Sequence, residues 1–303
     1  PLPPAALAGV ARRLAACGAN IERVVRLSAR PLASFELLVS GGDTLRLRSE
    51  LAAEAVAHRV DVAVERASLH RRGRRLVVMD VDSTLVQGEV IEMLAAEAGC
   101  EAEVARVTAA AMAGELDFEQ SLRARVALLE GLPVEAVERV RAAVRLTPGA
   151  RTLVRTLKRL GYAVGIVSGG FTAVTDGLAA TLGLDHARAN VLEVADGRLT
   201  GRLLGPVVDR AGKAEALREF AGAQGLSLAQ TVAVGDGAND LDMLEAAGLG
   251  VAFNAKPVVR DAADTALSVP FLDALLFLLG IPREAVEEAD LDDVTAGVSE
   301  QHA

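Results

Sequence analysis

The first part of the chain alternates between two periods of apolar residues. Residues 4–18 and 44–59 repeat apolar side chains every three or four positions, which predicts amphipathic helices. Three stretches instead alternate apolar and polar residues, which predicts strands with one buried face: "IERVVRLSA", "SFELLVSG" and "VDVAVER". The order helix, strand, strand, helix, strand is that of the βαββαβ ferredoxin-like pattern without its first strand. We therefore predict a small α+β domain over residues 1–70.

The pattern changes from Leu76 onward, where short apolar runs alternate with helical segments. The runs "LVVM", "AVGIVS", "TVAVGD" and "LGVAF" indicate a parallel sheet with crossover helices. Residues 87–145 are helical in pattern without a β run, so an insertion follows the first strand and could cover the carboxyl ends of the sheet. We predict an α/β domain over residues 71–285, with a helical cap at about 88–145. Residues 286–303 are acidic and predict a disordered tail.

Composition narrows the class of protein. A chain of 303 residues favours two domains. The net charge of −9 argues against nucleic acid or an acidic membrane as the main partner. Cys17 and Cys100 are too few for a disulfide framework, which fits a reducing cytoplasm. The apolar run at 271–280 is too short to span a bilayer. The basic segment at 70–75 is predicted to be a solvated linker between the two domains.

Two carboxylates, Asp80 and Asp82, follow the first apolar β run directly. Alternate residues of an extended strand face the same way, so the two carboxylates should project side by side and repel each other. Such a pair is tolerable when a cation neutralises it or when one group holds a proton. The alternative is an ordinary helix N-cap, which would account for one acid but does not require two.

Other polar groups follow the later β runs. Ser168–Gly170 comes after the second run, "GDGAND" at 235–240 after the third, and Lys213 lies between them. Each alone is commonly a turn, a cap or a solvated lysine. Ligands of open α/β sheets bind outside the carboxyl ends of the strands, so all of these groups should meet at one rim. Carboxylates for a hard divalent cation such as Mg²⁺, with a hydroxyl, glycine amides and an ammonium for phosphoryl oxygens, are what phosphoryl transfer requires.

These segments resemble the motifs of a known family. "DVDSTL", "SGG", Lys213 and "GDGAND" are similar to the four motifs of the haloacid dehalogenase superfamily of phosphotransferases. "GEVIEMLA" and "AAMAGELDFEQSLRARVALLEGLP" further resemble the phosphoserine phosphatase family, and residues 1–70 resemble an ACT domain. The resemblance implies a haloacid dehalogenase-like Rossmannoid parallel sheet with a helical cap insertion, preceded by a ferredoxin-like, ACT-like domain.

The resemblance also implies roles for individual residues. The chemistry would use Asp80 as nucleophile, Asp82 as general acid/base, and Ser168, Gly169 and Lys213 to hold phosphate. Mg²⁺ would be bound by Asp80, the backbone carbonyl of Asp82 and Asp236, with Asn239 at the substrate and Asp240 in support. The amino-acid part of the substrate would meet Glu89 and Arg125, under an apolar cover of Met112 and Phe118. The plainer alternatives for these last four are a first-turn helix acid, a solvated arginine and two core side chains.

The expected activity is therefore Mg²⁺-dependent hydrolysis of O-phosphoserine to serine and phosphate through an aspartyl-phosphate, in serine biosynthesis in the cytoplasm. The alternatives are a phosphatase or phosphotransferase for another small phosphate ester, and an amino-acid-sensing protein with a non-catalytic scaffold domain. The ACT resemblance implies free serine as a candidate effector. An exposed ferredoxin-like sheet edge predicts a homodimer through residues 1–70.

Overall fold

The computed structural model describes residues 3–69 and 73–300, with side chains as far as Leu291. It divides into two compact units. The first contains the chain up to residue 73, residues 265–269 and the residues from 273 onward, and the second contains residues 74–264 and 270–272. Residues 70–72 of the predicted basic linker lie outside the described residues.

The N-terminal part of the first unit has the predicted order of helix, strand, strand and helix. Its elements are α1 (Pro4–Ala16), β1 (Asn20–Ser28), β2 (Ser34–Ser40) and α2 (Thr44–His58). The two strands are antiparallel, and their pairing runs from Asn20↔Ser40 to Ser28↔Ser34. One face of the sheet and both helices bury a small apolar core that contains Leu14, Cys17, Leu47 and Leu51. The predicted ferredoxin-like α+β domain is confirmed in these elements.

The third strand predicted in this domain, over residues 60–66, does not form. Val62 and Val64 still pack against the core, and the Arg48 Nε donates to the Val64 carbonyl at 3.1 Å. The alternation therefore does mark one buried face, but within residues 3–69 and 73–300 no strand lies beside the segment to complete a ladder. In the βαββαβ pattern the last strand pairs with the first, and the first strand has no counterpart among these elements.

The second unit alternates strands and helices as predicted. Its elements are β3 (Leu76–Met79), α3 (Val90–Ala98), α4 (Glu101–Met112), α5 (Phe118–Ala127), α6 (Val134–Ala143), α7 (Ala150–Arg159), β4 (Ala163–Phe171), α8 (Thr172–Leu182), β5 (His186–Ala195), β6 (Arg198–Leu204), α9 (Arg210–Ala223), β7 (Thr231–Gly235), α10 (Leu241–Ala246), β8 (Leu249–Phe253) and α11 (Pro257–Ala262). Within it the strands lie in the order β6-β5-β4-β3-β7-β8. Strands β5, β4, β3, β7 and β8 are parallel, and β5 and β6 form an antiparallel hairpin that turns at Asp196-Gly197.

The position of β3 follows from its sequence. All four residues of Leu76–Met79 are fully buried, as expected for a central parallel strand, and β3 lies between β4 and β7. The predicted cap is also present. Helices α3 to α6 lie between β3 and α7 and share an apolar cluster that includes Leu94, Leu122, Val126 and Leu129. The cap thus connects directly to the carboxyl end of the central strand.

The C-terminal segment differs from its prediction. The structure has β9 (Thr265–Leu267), α12 (Leu275–Leu278) and α13 (Arg283–Glu300), although residues 286–303 were predicted to be disordered and the α/β domain to run to 285. Residues from 273 belong to the first unit, where α13 packs on β1. Val286 is buried there, and Arg283 at the start of the helix pairs with Asp273 at 2.7 Å. Among the described residues, no helix combines the length and apolarity needed to cross a membrane.

Candidate active site

Asp80 continues β3 by one residue before the chain turns. Its backbone N–H donates to the Val234 carbonyl of β7 at 2.9 Å, and its side chain is buried. The turn Val81–Leu85 follows, in which Ser83 has a left-handed backbone conformation with φ of 57°. Such a conformation is strained in a residue with a Cβ and is often found at functional sites. The turn separates the two carboxylates, so that Asp80 and Asp82 contact different groups.

Lys213 is the cation at the centre of the site. It is fully buried in the first turn of α9, and its Nζ lies 2.6 Å from Asp80 Oδ1 and 2.7 Å from Asp240 Oδ1. Burial alone would lower the pKa of this ammonium, but the two carboxylates outweigh it and raise the pKa above its usual value. Lys213 therefore stays charged and fixes the Asp80 side chain.

The glycines of "GDGAND" allow the Asp240 side chain to pack against the backbone at the end of β7. A Cβ at Gly235 would lie 2.4 Å from Cγ of Asp240, so no other residue fits there without a shift. The second oxygen of Asp240 accepts from the Gly237 N–H at 3.0 Å. Asn239 lies over Gly237, where a Cβ would be 2.2 Å from its Oδ1. The motif thus holds Asp240 against Lys213, a position compatible with the supporting role predicted for Asp240.

Asp80, Asp236 and Asp240 form an acidic cluster, with one oxygen of each within 4.8 Å of the others. Burial, followed by repulsion from Asp240, raises the pKa of Asp80 well above its usual range and that of Asp236 to about 6. Asp236 is oriented by Thr84, whose Oγ1 donates to it at 3.3 Å. Hard carboxylate oxygens that destabilise one another in this way fit a divalent cation such as Mg²⁺. Both oxygens of Asp240 already accept hydrogen bonds, so Asp80 and Asp236 are the better candidate ligands.

The predicted metal role can be tested by thermal unfolding. We expect Mg²⁺ to raise the Tm of the wild-type protein by several degrees. A ligand present at about 100 times its Kd adds roughly 2.7 kcal/mol to the free energy of unfolding of the protein that binds it. The Asp236→Asn variant should lose this response, and its metal-free Tm should equal or exceed that of the wild type because one of three mutually repelling carboxylates is gone. The control is Asp242→Asn, at an exposed acid paired with Arg210, which should respond like the wild type. An undiminished Mg²⁺ shift in Asp236→Asn would contradict the metal site.

Asp82 lies in a different environment from Asp80. Its Oδ1 accepts from the Val90 N–H at the start of α3 at 2.8 Å, and its Oδ2 accepts from Ser168 Oγ at 3.2 Å. Burial, followed by repulsion from Glu89, raises the pKa of Asp82 to about 6. A carboxyl group with a pKa close to neutrality can both donate and accept a proton. The side chain of Asp82 is thus placed for proton transfer, and its predicted contribution to the metal would come from the backbone alone.

The segment Ser168–Gly170 lies near the end of β4, beside Asp82. The Gly170 N–H donates to Ser168 Oγ at 2.7 Å, and a Cβ at Gly170 would lie 2.9 Å from Asp82 Oδ2. At Gly169 a Cβ would lie 2.9 Å from Cζ of Phe118. The two glycines therefore let a hydroxyl, a carboxylate and an aromatic ring from the cap meet at one point.

Most of the predicted cap residues reach this rim. Glu89 accepts from Ser83 Oγ at 2.9 Å. Arg125 is half-buried on α5, where burial lowers its pKa while the charges of Glu89 and Asp82 oppose that shift. Met112 is the exception. It is 73% exposed at the last residue of α4, so the predicted apolar cover consists of Phe118 without it in this conformation.

Sequence reasoning missed three buried polar residues that support the site. Thr147 Oγ1 donates to the Thr84 carbonyl at 2.7 Å, and Thr84 in turn orients Asp236. Asn190, on β5, bonds to the backbone at two points, Gly169 and Val208. The only signal in the sequence was Asn190 itself, because asparagine is depleted in strands. Thr84 belongs to the quoted segment "DVDSTL" but had no predicted role, and Thr147 carried no signal.

Comparisons with known proteins identify the family of the chain. The family model for haloacid dehalogenase-like hydrolases matches residues 77–245, and that for an ACT domain matches residues 1–65. The chain is 67% identical to a phosphoserine phosphatase of Streptomyces coelicolor over 98% of this chain and 73% of that protein. It is 54% identical to the phosphoserine phosphatase SerB2 of Mycobacterium tuberculosis over 97% of this chain and 72% of that protein.

Solved structures give the same result. A substrate-bound phosphoserine phosphatase complex superposes with a TM-score of 0.64 at 46% identity, covering 67% of this chain and 97% of that one. A probable phosphoserine phosphatase from Vibrio cholerae has a TM-score of 0.73 at 37% identity, covering 95% of this chain and 86% of that one. The chain therefore belongs to the haloacid dehalogenase-like hydrolases, in the phosphoserine phosphatase family, and carries an N-terminal ACT domain.

Proposed function

We propose that the chain hydrolyses O-phosphoserine to serine and phosphate with Mg²⁺, through an aspartyl-phosphate at Asp80. The observation that carries this proposal is the separation of two neighbouring carboxylates into different environments. Asp80 lies against the buried ammonium of Lys213, whereas Asp82 lies against the hydroxyl of Ser168 with its pKa raised to about 6. One carboxylate is thus suited to attack and the other to proton transfer. The relatives named as phosphoserine phosphatases support the choice of substrate.

In the first step, an oxygen of Asp80 attacks phosphorus and the bond from phosphorus to the serine oxygen breaks. Ser168 Oγ, the backbone N–H of Gly169 and Lys213 hold the phosphoryl oxygens on which negative charge develops. Asp82 donates a proton to the leaving serine oxygen, which would otherwise depart as a strongly basic alkoxide. Asp80 and Asp236 would hold Mg²⁺, and the bound cation would supply positive charge that reduces the repulsion between the Asp80 carboxylate and the phosphate dianion.

In the second step, water attacks the phosphorus of the aspartyl-phosphate. Asp82, now a carboxylate, accepts the proton of that water, so its two roles follow in sequence. The bond between phosphorus and the Asp80 oxygen breaks, which releases phosphate and restores the nucleophile. A pKa of about 6 suits both steps at neutral pH, because neither protonation state is strongly disfavoured.

The charges of the cap match the amino-acid part of phosphoserine. Glu89, at the start of α3, would pair with the ammonium, and Arg125, on α5, with the carboxylate. Arg125 is half-buried, and a guanidinium there can bind a carboxylate through two parallel hydrogen bonds. The ring of Phe118 closes the phosphate end, next to Gly169. Most other small phosphate esters lack one or both of these charged groups.

The two regions of the chain would have different functions. Residues 71–285, with the cap at 88–145, would carry out hydrolysis in serine biosynthesis, while residues 1–70 would serve regulation or dimerisation. Free serine is the candidate effector of the ACT domain, and the edge of the β1–β2 sheet is the candidate surface for a homodimer. The acids and Lys213 form a complete constellation, which argues against the alternative of a scaffold that only senses amino acids.

A substrate panel tests the proposed activity. We expect phosphate release from O-phosphoserine in the presence of Mg²⁺, weaker release from nitrophenyl phosphate, and none from either in excess chelator. Added Mg²⁺ should restore both activities. Preference for an ester without an amino or carboxylate group would favour the alternative of another small phosphate ester. No release from any ester would favour the sensing protein.

A further inference from the structure

The phosphate-binding segment Ser168–Gly170 is a bulge in the sheet. Strands β4 and β5 pair in register up to Val167↔Arg188, and the pairing resumes at Phe171↔Asn190. Between these pairs β4 has three residues and β5 has one. The backbone groups of the bulged residues are therefore outside the regular ladder. Their orientation depends on other contacts, as is common for bulges next to active sites.

Asn190 provides such a contact at the residue where pairing resumes. Its side chain is buried, with 2% of the residue exposed. Its Nδ2 donates to the Gly169 carbonyl at 2.8 Å, and its Oδ1 accepts from the Val208 N–H at 2.7 Å. A carbonyl only accepts and a backbone N–H only donates, so the two partners together determine the orientation of the amide. A side chain that satisfies two buried backbone groups in this way holds both of them in place.

Val208 connects this contact to the other half of the phosphate site. It immediately precedes Asp209, the N-cap of α9, which accepts from the Gly212 N–H at 2.8 Å. The Lys213 N–H donates to the Asp209 carbonyl at 2.9 Å, so Lys213 lies in the turn that Asp209 caps. One side chain therefore joins the bulge that carries Ser168 to the helix start that carries Lys213.

We infer that Asn190 is a positioning residue for phosphoryl transfer. It does not touch the substrate; it sets the position of Ser168 and Gly169 relative to Lys213 through the two backbone groups it binds. The inference rests on the proposed function, in which these three residues hold the phosphoryl oxygens. Groups that stabilise developing charge are effective only when they are held in advance, and a displacement of about 1 Å can cost on the order of 100-fold in rate.

The test compares Asn190→Ala with a matched control. Thr231 is also fully buried and also bridges two backbone groups, since its Oγ1 donates to the Leu228 carbonyl at 2.8 Å and accepts from the Gly248 N–H at 3.4 Å. It lies at the amino end of β7, about 13 Å along the strand from the rim that holds the acids. Thr231→Val therefore removes equivalent bonds without reaching the site.

The measurements are kcat and KM for O-phosphoserine and for nitrophenyl phosphate, inhibition by inorganic phosphate, and Tm. We expect Asn190→Ala to lose about 10- to 100-fold in kcat/KM on both substrates, mainly in kcat, because both share the phosphoryl group. Inorganic phosphate should also inhibit it less. Thr231→Val should lower the Tm but keep kcat/KM within about twofold of the wild type, since its effect is on the fold alone.

Wild-type kcat/KM in folded Asn190→Ala, or an equal loss in Thr231→Val, would overturn the inference. If Asn190→Ala does not fold, Asn190→Asp provides the second test of the positioning role. This variant keeps the side-chain volume and the oxygen that accepts from the Val208 N–H, but while ionised it has no donor for the Gly169 carbonyl. The kcat/KM of Asn190→Asp should be at least about 10-fold lower than that of the wild type, and full activity would contradict the positioning role. If the wild type hydrolyses a phosphate ester other than phosphoserine, the proposed substrate is wrong, and the same comparison on that ester still tests Asn190.

Discussion

Asp80→Asn is expected to abolish phosphate release while leaving the fold intact. Asparagine has nearly the same volume but no nucleophilic carboxylate, so the aspartyl-phosphate cannot form. We expect kcat to fall by on the order of 10⁴-fold or more, as is typical when a covalent nucleophile is removed. The loss should not come from unfolding. Burial and the neighbouring Asp240 already disfavour the ionised Asp80, so the Tm of the metal-free variant should be close to that of the wild type.

Two measurements distinguish a lost nucleophile from a damaged site. Rapid acid quenching with substrate, followed by intact-protein mass spectrometry, should show a phosphorylated species in the wild type and none in Asp80→Asn. The control is Asp185→Asn, which removes a carboxylate that binds Lys158 and the Val164 N–H at the amino end of β4. It should retain nearly full activity. Substantial turnover by Asp80→Asn, in protein free of wild type, would exclude Asp80 as the nucleophile.

Arg125→Ala is expected to lose activity selectively on phosphoserine. The mutation leaves the substrate carboxylate without a partner in a partly buried pocket, which should cost roughly 2–5 kcal/mol in kcat/KM. That loss corresponds to about 30-fold to several-thousand-fold. Nitrophenyl phosphate has no carboxylate, so its hydrolysis should change little, because the contacts of Asp80 are untouched.

Arg123 provides the control for this prediction. It lies two positions earlier on α5, is largely exposed and pairs with Glu119 at 2.7 Å within the helix, whereas Arg125 is half-buried. Removing an exposed pair of this kind costs little, so Arg123→Ala should be nearly neutral on both substrates. Parallel losses on the two substrates in Arg125→Ala, or a larger effect of Arg123→Ala, would show that Arg125 does not bind the carboxylate.

The periodicity of the sequence was sufficient to locate the site in the fold. Four apolar runs predicted a parallel sheet, and the first three are followed by Asp, Ser-Gly or Gly-Asp. Asp80, Ser168 and Asp236 lie at the carboxyl rim of that sheet as expected. The same reasoning identified the helical cap between β3 and α7. These predictions succeed because the period with which apolar residues recur can be determined from a short stretch of sequence alone, and that period distinguishes a strand from a helix.

Other features depended on which distant segments meet. Residues 60–66 have the alternation of a strand, but the described part of the chain offers them no neighbouring strand. The acidic C-terminal segment is helical and packs on β1. Hydrogen-bonded partners and packing surfaces of this kind come from elsewhere in the chain. Periodicity within one segment therefore cannot reveal them.

The sequence by itself determined which residue types stand at the carboxyl ends of the strands, and hence the class of chemistry. Only the tertiary structure decided that Lys213 lies between Asp80 and Asp240, that Asp82 instead binds Ser168, and that Met112 is exposed. It also brought Asn190 to the bulge at Gly169. The physical reason is that a buried charge or amide acquires its pKa and orientation from groups within a few ångströms. The four contacts just named, of Lys213 with Asp80 and Asp240, of Asp82 with Ser168 and of Asn190 with Gly169, join residues 21 to 133 positions apart in sequence.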